Sequence, residues 1–260
     1  MTDYSFPKIP AHRRVVAVLP EEEIESLYED DPSELLHAPQ VHLLKYDPAM
    51  HDASLYPELQ GLELHGLLEP GNILVQNPYA PDEYCLKNDA LNQFSLRKHF
   101  HLSSLCKLLG AKSVSVVQVE VKSENSQATA NLEAGGIGVS GEVSVERKLA
   151  ERFSKEMQLS DRFSGGKPDV EAAREYLSRN RLLSDPVLVS LVELFSDVRN
   201  KIYERTIMCN VSSEANKNLS ICGKLKMAKM RSLGSELNFD SANKIDIKVT
   251  LKVMFPESYD

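Results

Sequence analysis

Glu120-Val121-Lys122 lies in a stretch that alternates polar and apolar residues. Residues two apart on a strand point to the same side, so Glu120 and Lys122 share a face. A carboxylate placed this way can ligate a divalent cation, provided further carboxylates converge on the same point. The candidate partner, Asp89, stands well upstream at the start of a helix, and the segment after Lys122 is another strand. The same pair also reads as the wet face of a half-exposed strand.

Histidine is the second candidate for chemistry, as a base or a metal ligand. His37, His42, His51, His65, His99 and His101 fall within one third of the chain. They form no HExxH pattern, and His99 and His101, two apart on a helix, face different ways. Scattered surface histidine is the expectation. Ser164-Gly165-Gly166-Lys167 lacks the spacing of a phosphate loop and reads as a flexible joint. Lysine is the third candidate. Lys224, Lys226, Lys244, Lys248 and Lys252 would form one basic face if they stood on neighbouring strands, joined by Lys217, Lys229 and Arg231. That face would meet phosphate, an acidic partner or the chain's own acidic run at 21–31, or it would be a solvated face that discourages edge pairing.

The Glu120-x-Lys122 pair resembles that of the PD-(D/E)xK nucleases. The resemblance covers three residues and implies a metal-dependent nuclease with Glu120 and Lys122 in catalysis.

The elements that would position these groups differ between the two halves. Ten of the thirteen prolines lie in residues 1–88, which argues against long regular elements there. Short strands are expected at 14–19, 41–46 and 72–76, with an acidic helix at 21–28 and an irregular connection over 47–70. From residue 89 the pattern becomes regular. Asp89 can cap a helix running to Gly110, with Leu91, Phe94, Leu102, Leu105 and Leu109 as its apolar stripe. Helices follow at 146–158, 169–179 and 186–199, the last opened by Ser184-Asp185-Pro186. Ile245, Ile247, Val249, Leu251, Val253 and Phe255 alternate with mostly basic residues and read as a strand with one oily and one wet face.

Two hairpins are expected. The first spans 113–145. Its apolar phase switches at Val116–Val117 and again at Gly135–Gly136, where a bulge or bend must re-aim the side chains. Gly135, Gly136, Ile137 and Val139 mark the slim middle of its second arm. The second hairpin spans 203–227, with Leu219, Ile221, Leu225 and Met227 alternating on its return. The predicted fold is α+β, a mostly antiparallel sheet with these two long hairpins packed on about four helices. Residues 1–88 would form a proline-rich segment or small subdomain, and 89–260 the main domain.

A net charge of −8 gives no overall attraction to nucleic acid or anionic lipid. No run approaches the roughly 20 apolar residues of a spanning helix, and the first residues show no apolar secretory core. Cys85, Cys106, Cys209 and Cys222 have no metal-ligand spacing and read as reduced, mostly buried thiols of a cytoplasmic protein. Apart from that nuclease resemblance, no cofactor or metal is implied. These observations point to a non-enzymatic binding or assembly protein, homo-oligomeric, acting on itself or a protein partner through hairpins and basic face. Two hairpins separated by helices are also similar in layout to gasdermin-type pore-forming domains. That likeness implies a membrane-active protein whose hairpins line a β-pore; it rests on arrangement alone, with no shared motif.

Overall fold

The structure is a computed structural model that describes residues 6–30, 36–52, 56–122, 127–133, 136–140, 145–156, 160–196, 201–210, 213–232 and 246–257. The chain divides into two compact units, Met1–Phe94 with Ser212–Ala242, and Ser95–Val211 with Asn243–Asp260. Among the described residues it forms seven α-helices and two mostly antiparallel sheets, an α+β fold.

The first unit is built on β1 (Val15–Leu19), α1 (Glu21–Asp30), β2 (Val41–Lys45), α2 (Gln60–Leu64), β3 (Ile73–Asn77) and β4 (Ala80–Leu86). Its sheet runs β2-β1-β3-β4. Every residue of β1 is buried, as its unbroken apolar run demands of a central strand. α1 connects β1 to the parallel β2. Three glutamates in its first turn suit the positive end of the helix dipole. Glu21 of the acidic run pairs with Lys45 of β2 rather than with the sheet lysines downstream. Val16, Val18, Leu44, Leu62, Leu74 and Tyr84 lie at the centre of the core. Proline content hid one strand: Pro81 sits in β4, an end strand where a missing N–H costs no ladder bond.

The second unit holds the C-terminal part of α3 (Lys87–Leu108), then β5 (Ser113–Lys122), β6 (Gln127–Glu133), β7 (Gly136–Ser140), α4 (Val145–Glu156), β8 (Ser160–Arg162), α5 (Val170–Arg179), α6 (Pro186–Leu194), β9 (Glu204–Asn210) and β10 (Asp246–Met254). The sheet order is β7-β6-β5-β10-β9, and β8 pairs with the start of β5. β10 shows the expected alternation, with Ile247, Val249, Leu251 and Val253 buried. The expected bulge is present too. Thr250 pairs with Gln118 and Leu251 with Val116, so Val117 is the extra residue at the place where the apolar phase switches.

The second phase switch has a different cause. Residues 127–140 are two strands, not one bent arm. Glu133 lies opposite Gly136 and Leu132 opposite Ile137, so the chain reverses there and β5-β6-β7 form a meander. A one-residue phase change looks the same in sequence whether it marks a bulge or a reversal. Val145, read as the end of that arm, is the first residue of α4.

The second hairpin is corrected more strongly. Its first arm is β9, but residues 213–232 form a helix, α7 (Ser213–Ser232), which belongs to the first unit. Ala215, Asn218, Ile221, Cys222 and Leu225 are buried at helical spacing. The segment satisfies a 3.6 period and a 2.0 period at once, and the sequence reading followed the second. The alternation of residues 236–239 also reads as a short strand, and that stretch lies outside the described residues.

The 164–168 joint is held rather than free. Gly110, at φ +81°, ends α3 with the reciprocal bonds of a Schellman motif, Ala111 N–H to Cys106 C=O and Gly110 N–H to Lys107 C=O. Phe163, Gly166 and Asp169 then donate backbone bonds to Lys112, Gly110 and Leu108.

Candidate functional site

Alternation along five strands gives the six-stranded sheet one polar face. Lys248 of β10 stands between Glu120 of β5 and Asn210 of β9, and Lys252 stands between Ser115 and Thr206. Lys122 is opposite Asp246. Lys248 Nζ lies 3.5 Å from Glu120 Oε1, and Lys252 Nζ lies 3.0 Å from Glu204 Oε1. Three lysines thus interleave with three carboxylates, Glu120, Glu204 and Asp246. The face is polar and balanced in charge. Its pairs are exposed enough for each to contribute at most about 1 kcal/mol.

The predicted basic set is divided. Lys248 and Lys252 share this face, Lys224 stands exposed on α7 with Lys226 on the same helix, and Lys244 lies outside the described residues. Glu120 and Lys122 are on the polar face as their spacing requires, and Glu120 meets Lys248 there rather than a second acid. Among the described residues no group of three or more His, Cys, Asp or Glu gathers where it would hold a metal ion.

The two ends of this sheet are unlike. β9 carries Glu204 and Arg205, and Glu204 is tied to Lys252. β7 reads Gly136-Ile137-Gly138-Val139-Ser140, with no charge and no proline. Ile137 and Val139 are half-buried, opposite Leu132 and Ala130 of β6, and α4 packs on β5, β6 and β7. Gly138 is exposed and a Cβ built there would meet nothing within 4 Å. Gly135, predicted beside these residues, lies outside the described residues.

A second polar constellation was missed by the sequence reading. α3 is buried on more than one face between residues 98 and 109, and four of its polar residues go inside. Lys98 Nζ lies 2.7 Å from Asp185 Oδ2 and donates to the Asn210 carbonyl at 2.9 Å. The other oxygen of Asp185 caps α6, accepting from Val187 and Leu188 N–H. Ser103 Oγ donates to Asp161 Oδ2 of β8, and His101 Nδ1 is 2.9 Å from the Tyr176 hydroxyl of α5. The histidine expectation is corrected here: His99 and His101 are 5% and 4% exposed. Two residues apart, they do face different ways, but both ways lead into packed structure. Lys98 carried a legible signal, since it shares a stripe with Leu102, Leu105 and Leu109.

His99 Nε2 has no hydrogen-bond partner among the described residues. Burial pushes its pKa below the usual 6.5, and the Asp161 carboxylate only partly opposes this. On acidification the unfolded chain takes up a proton near pH 6.5 while native His99 resists it. The unfolded state then binds more protons, so stability falls with pH from about 6.5 down to the lower native value, by at most about 1.4 kcal/mol per pH unit. His99→Gln is expected to flatten this slope in denaturant unfolding measured across that window, and an unchanged slope would count against the burial argument.

The four thiols are buried and form no disulfide. Burial raises Cys85 and Cys106 to about 12 and Cys209 to about 11, which keeps them protonated and poorly nucleophilic. Among the described residues no helix is long and apolar enough to cross a membrane. No protein-family model, no curated protein sequence and no solved structure matches the chain.

Proposed function

We propose that this is a non-enzymatic assembly protein that associates with further copies of itself through the β7 edge of its six-stranded sheet. The observation that carries the reading is the chemistry of that edge. Natural end strands are blunted by lysine, proline, bulges or inward charges. β7 has no charge and no proline, and two of its five residues are glycines. It is also self-complementary. A two-fold axis through Gly138 sets Ile137 of one copy opposite Val139 of the other and Gly136 opposite Ser140. An isologous contact of this kind closes on itself as a dimer and continues the apolar, α4-covered side of the sheet from one copy to the next. The charge-balanced polar face stays open for a protein partner. The same reading places the protein in the cytoplasm, where its thiols would stay reduced.

Gly138→Lys tests this without disturbing the fold, because the new side chain points into open space. It brings two like charges together at the axis, which should weaken self-association roughly tenfold or more. Light scattering on a size-exclusion column is expected to show wild-type dimers, and monomers for the variant at the same concentration. A wild type that stays monomeric throughout the micromolar range would end this reading.

A further inference from the structure

We propose that the polar face of the six-stranded sheet docks on the same face of a second copy, the two related by a two-fold axis that runs along the strands between β5 and β10. This deepens the reading of the chain as a self-associating protein. It rests on that reading for the kind of partner, not on the β7 contact.

Strand register places the charges. Lys122 lies opposite Asp246, and Glu120 opposite Lys248, across β5 and β10. The far row runs Arg162, Ser113, Met254, Glu204 across β8, β5, β10 and β9. An axis midway between β5 and β10 exchanges the two flanks of every row. Lys122 then faces the second copy's Asp246, and Glu120 faces the second copy's Lys248. Arg162 faces the second copy's Glu204. Between the charged rows, Gln118 faces Thr250, and Thr129 faces Asn210. Lys252, tied to Glu204 in its own copy, faces Ser115.

The matches at β5 and β10 follow from pairing within one sheet. The match of Arg162 with Glu204 does not. These two residues stand on opposite flanks of the face, each one strand out from the central pair. Arg162 is exposed and has no ion-pair partner among the described residues. Its place opposite an acid, across an axis chosen for other residues, is independent support for a self-complementary face.

Size fits a weak, reversible contact. The shared footprint covers β6, β5, β10 and β9, and β7 overhangs it. Strands about 4.8 Å apart and the roughly 30 Å length of β10 give about 600 Å² per copy. Doubled, that is the small end of specific interfaces, about 1,200 Å² in total. Sheets pack face to face about 10 Å apart with their strands within about 30° of each other, a gap that lysine, arginine and glutamate side chains can bridge.

Within one copy the ion pairs are exposed and individually weak. A second copy surrounds Glu120 and Lys248 with a square of alternating charges and excludes water from it, so the pairs act as a network that also fixes register. Met208, 65% exposed on the same face, gains cover, and methionine is enriched at protein interfaces. Because β7 overhangs the footprint, a copy can make both contacts at once, and assemblies larger than a dimer follow.

Gly138→Lys, which blocks the β7 edge and lies outside this footprint, is the parent for the test. Glu120→Lys makes the row of Glu120 and Lys248 wholly positive, and Lys248→Glu makes it wholly negative. Sedimentation velocity is run at about 1 mM protein, which suits a weak contact. The parent is expected to dimerise in about 0.1 M salt and dissociate in about 1 M salt, where the screening length falls from about 10 Å to about 3 Å. Each charge variant alone should associate at least about tenfold more weakly, because like charges then meet across the axis. An equimolar mixture of the two should recover the parent's association, since every cation again meets an anion. Both variants should melt like the parent, because the pair they alter is exposed. Lys122→Glu and Asp246→Lys repeat the test one row away. A parent that stays monomeric, single variants that dimerise like the parent, or a mixture as weak as its components would each overturn the proposal. Whether Gly138→Lys differs from wild type at micromolar concentration judges the β7 contact, and the salt and mixing responses judge this one.

Discussion

Lys98→Met is expected to lower the unfolding free energy by about 3–5 kcal/mol, the usual cost of leaving one member of a buried ion pair without its partner. Lys98 and Asp185 are 6% and 4% exposed at their side chains, so water cannot compensate either one. The loss reaches further than one contact. Lys98 also satisfies the Asn210 carbonyl at the end of β9, and Asp185 is the N-cap of α6. The ammonium therefore links α3, α6 and β9 of the second unit. Asp185→Asn keeps a capping side chain and removes the charge, so it should be comparably harmful through the stranded Lys98. The double variant Lys98→Met/Asp185→Asn leaves no buried charge and should recover part of the loss. Urea unfolding of the four proteins measures the coupling. Additive losses would mean that the pair is not the unit that matters.

Gly110→Ala should cost at least about 3 kcal/mol, for two reasons that add. A left-handed backbone costs a non-glycine residue about 1–2 kcal/mol, and Gly110 sits at φ +81°. The new Cβ would also fall 2.1 Å from the Gly166 carbonyl oxygen, a backbone atom that cannot step aside like a flexible side chain. Relief requires the 163–169 segment to lift from the end of α3, breaking the bond from Gly166 N–H to the Gly110 carbonyl. Gly138→Ala is the matched control, since it meets nothing within 4 Å. A melting temperature for Gly110→Ala equal to that of the control would show that the close approach carries no stability.

What the sequence made legible was whatever depended on one period at a time. β10 alternates without interruption and was readable to within two residues. The bulge at Val117 was readable because it must shift the apolar phase, and the shift shows in the residues. Asp185 before Pro186 announced the start of α6. Misreadings came where two physical demands share the same residues. At Gly135–Gly136 a reversal and a bulge give the same phase change. In α7 the helical stripe at 215, 218, 222 and 225 coexists with odd-numbered alternation, and packing rather than local pattern decides between them. The buried polar residues of α3 escaped for a related reason. A helix packed on several faces has no wet side to which Lys98, His99, His101 and Ser103 could be assigned, so only the fold reveals their partners. The sheet lysines were placed on the right face, but their carboxylate neighbours come from strands distant in sequence.

The most direct test of the proposed assembly is hydrogen exchange at the β7 amides, Gly136 to Ser140, followed as protein concentration is raised. If a second copy pairs with that edge, their exchange should slow with concentration in wild type and stay fast in Gly138→Lys, while β10 amides remain protected in both. Exchange at β7 that is equally fast at every concentration would contradict the account.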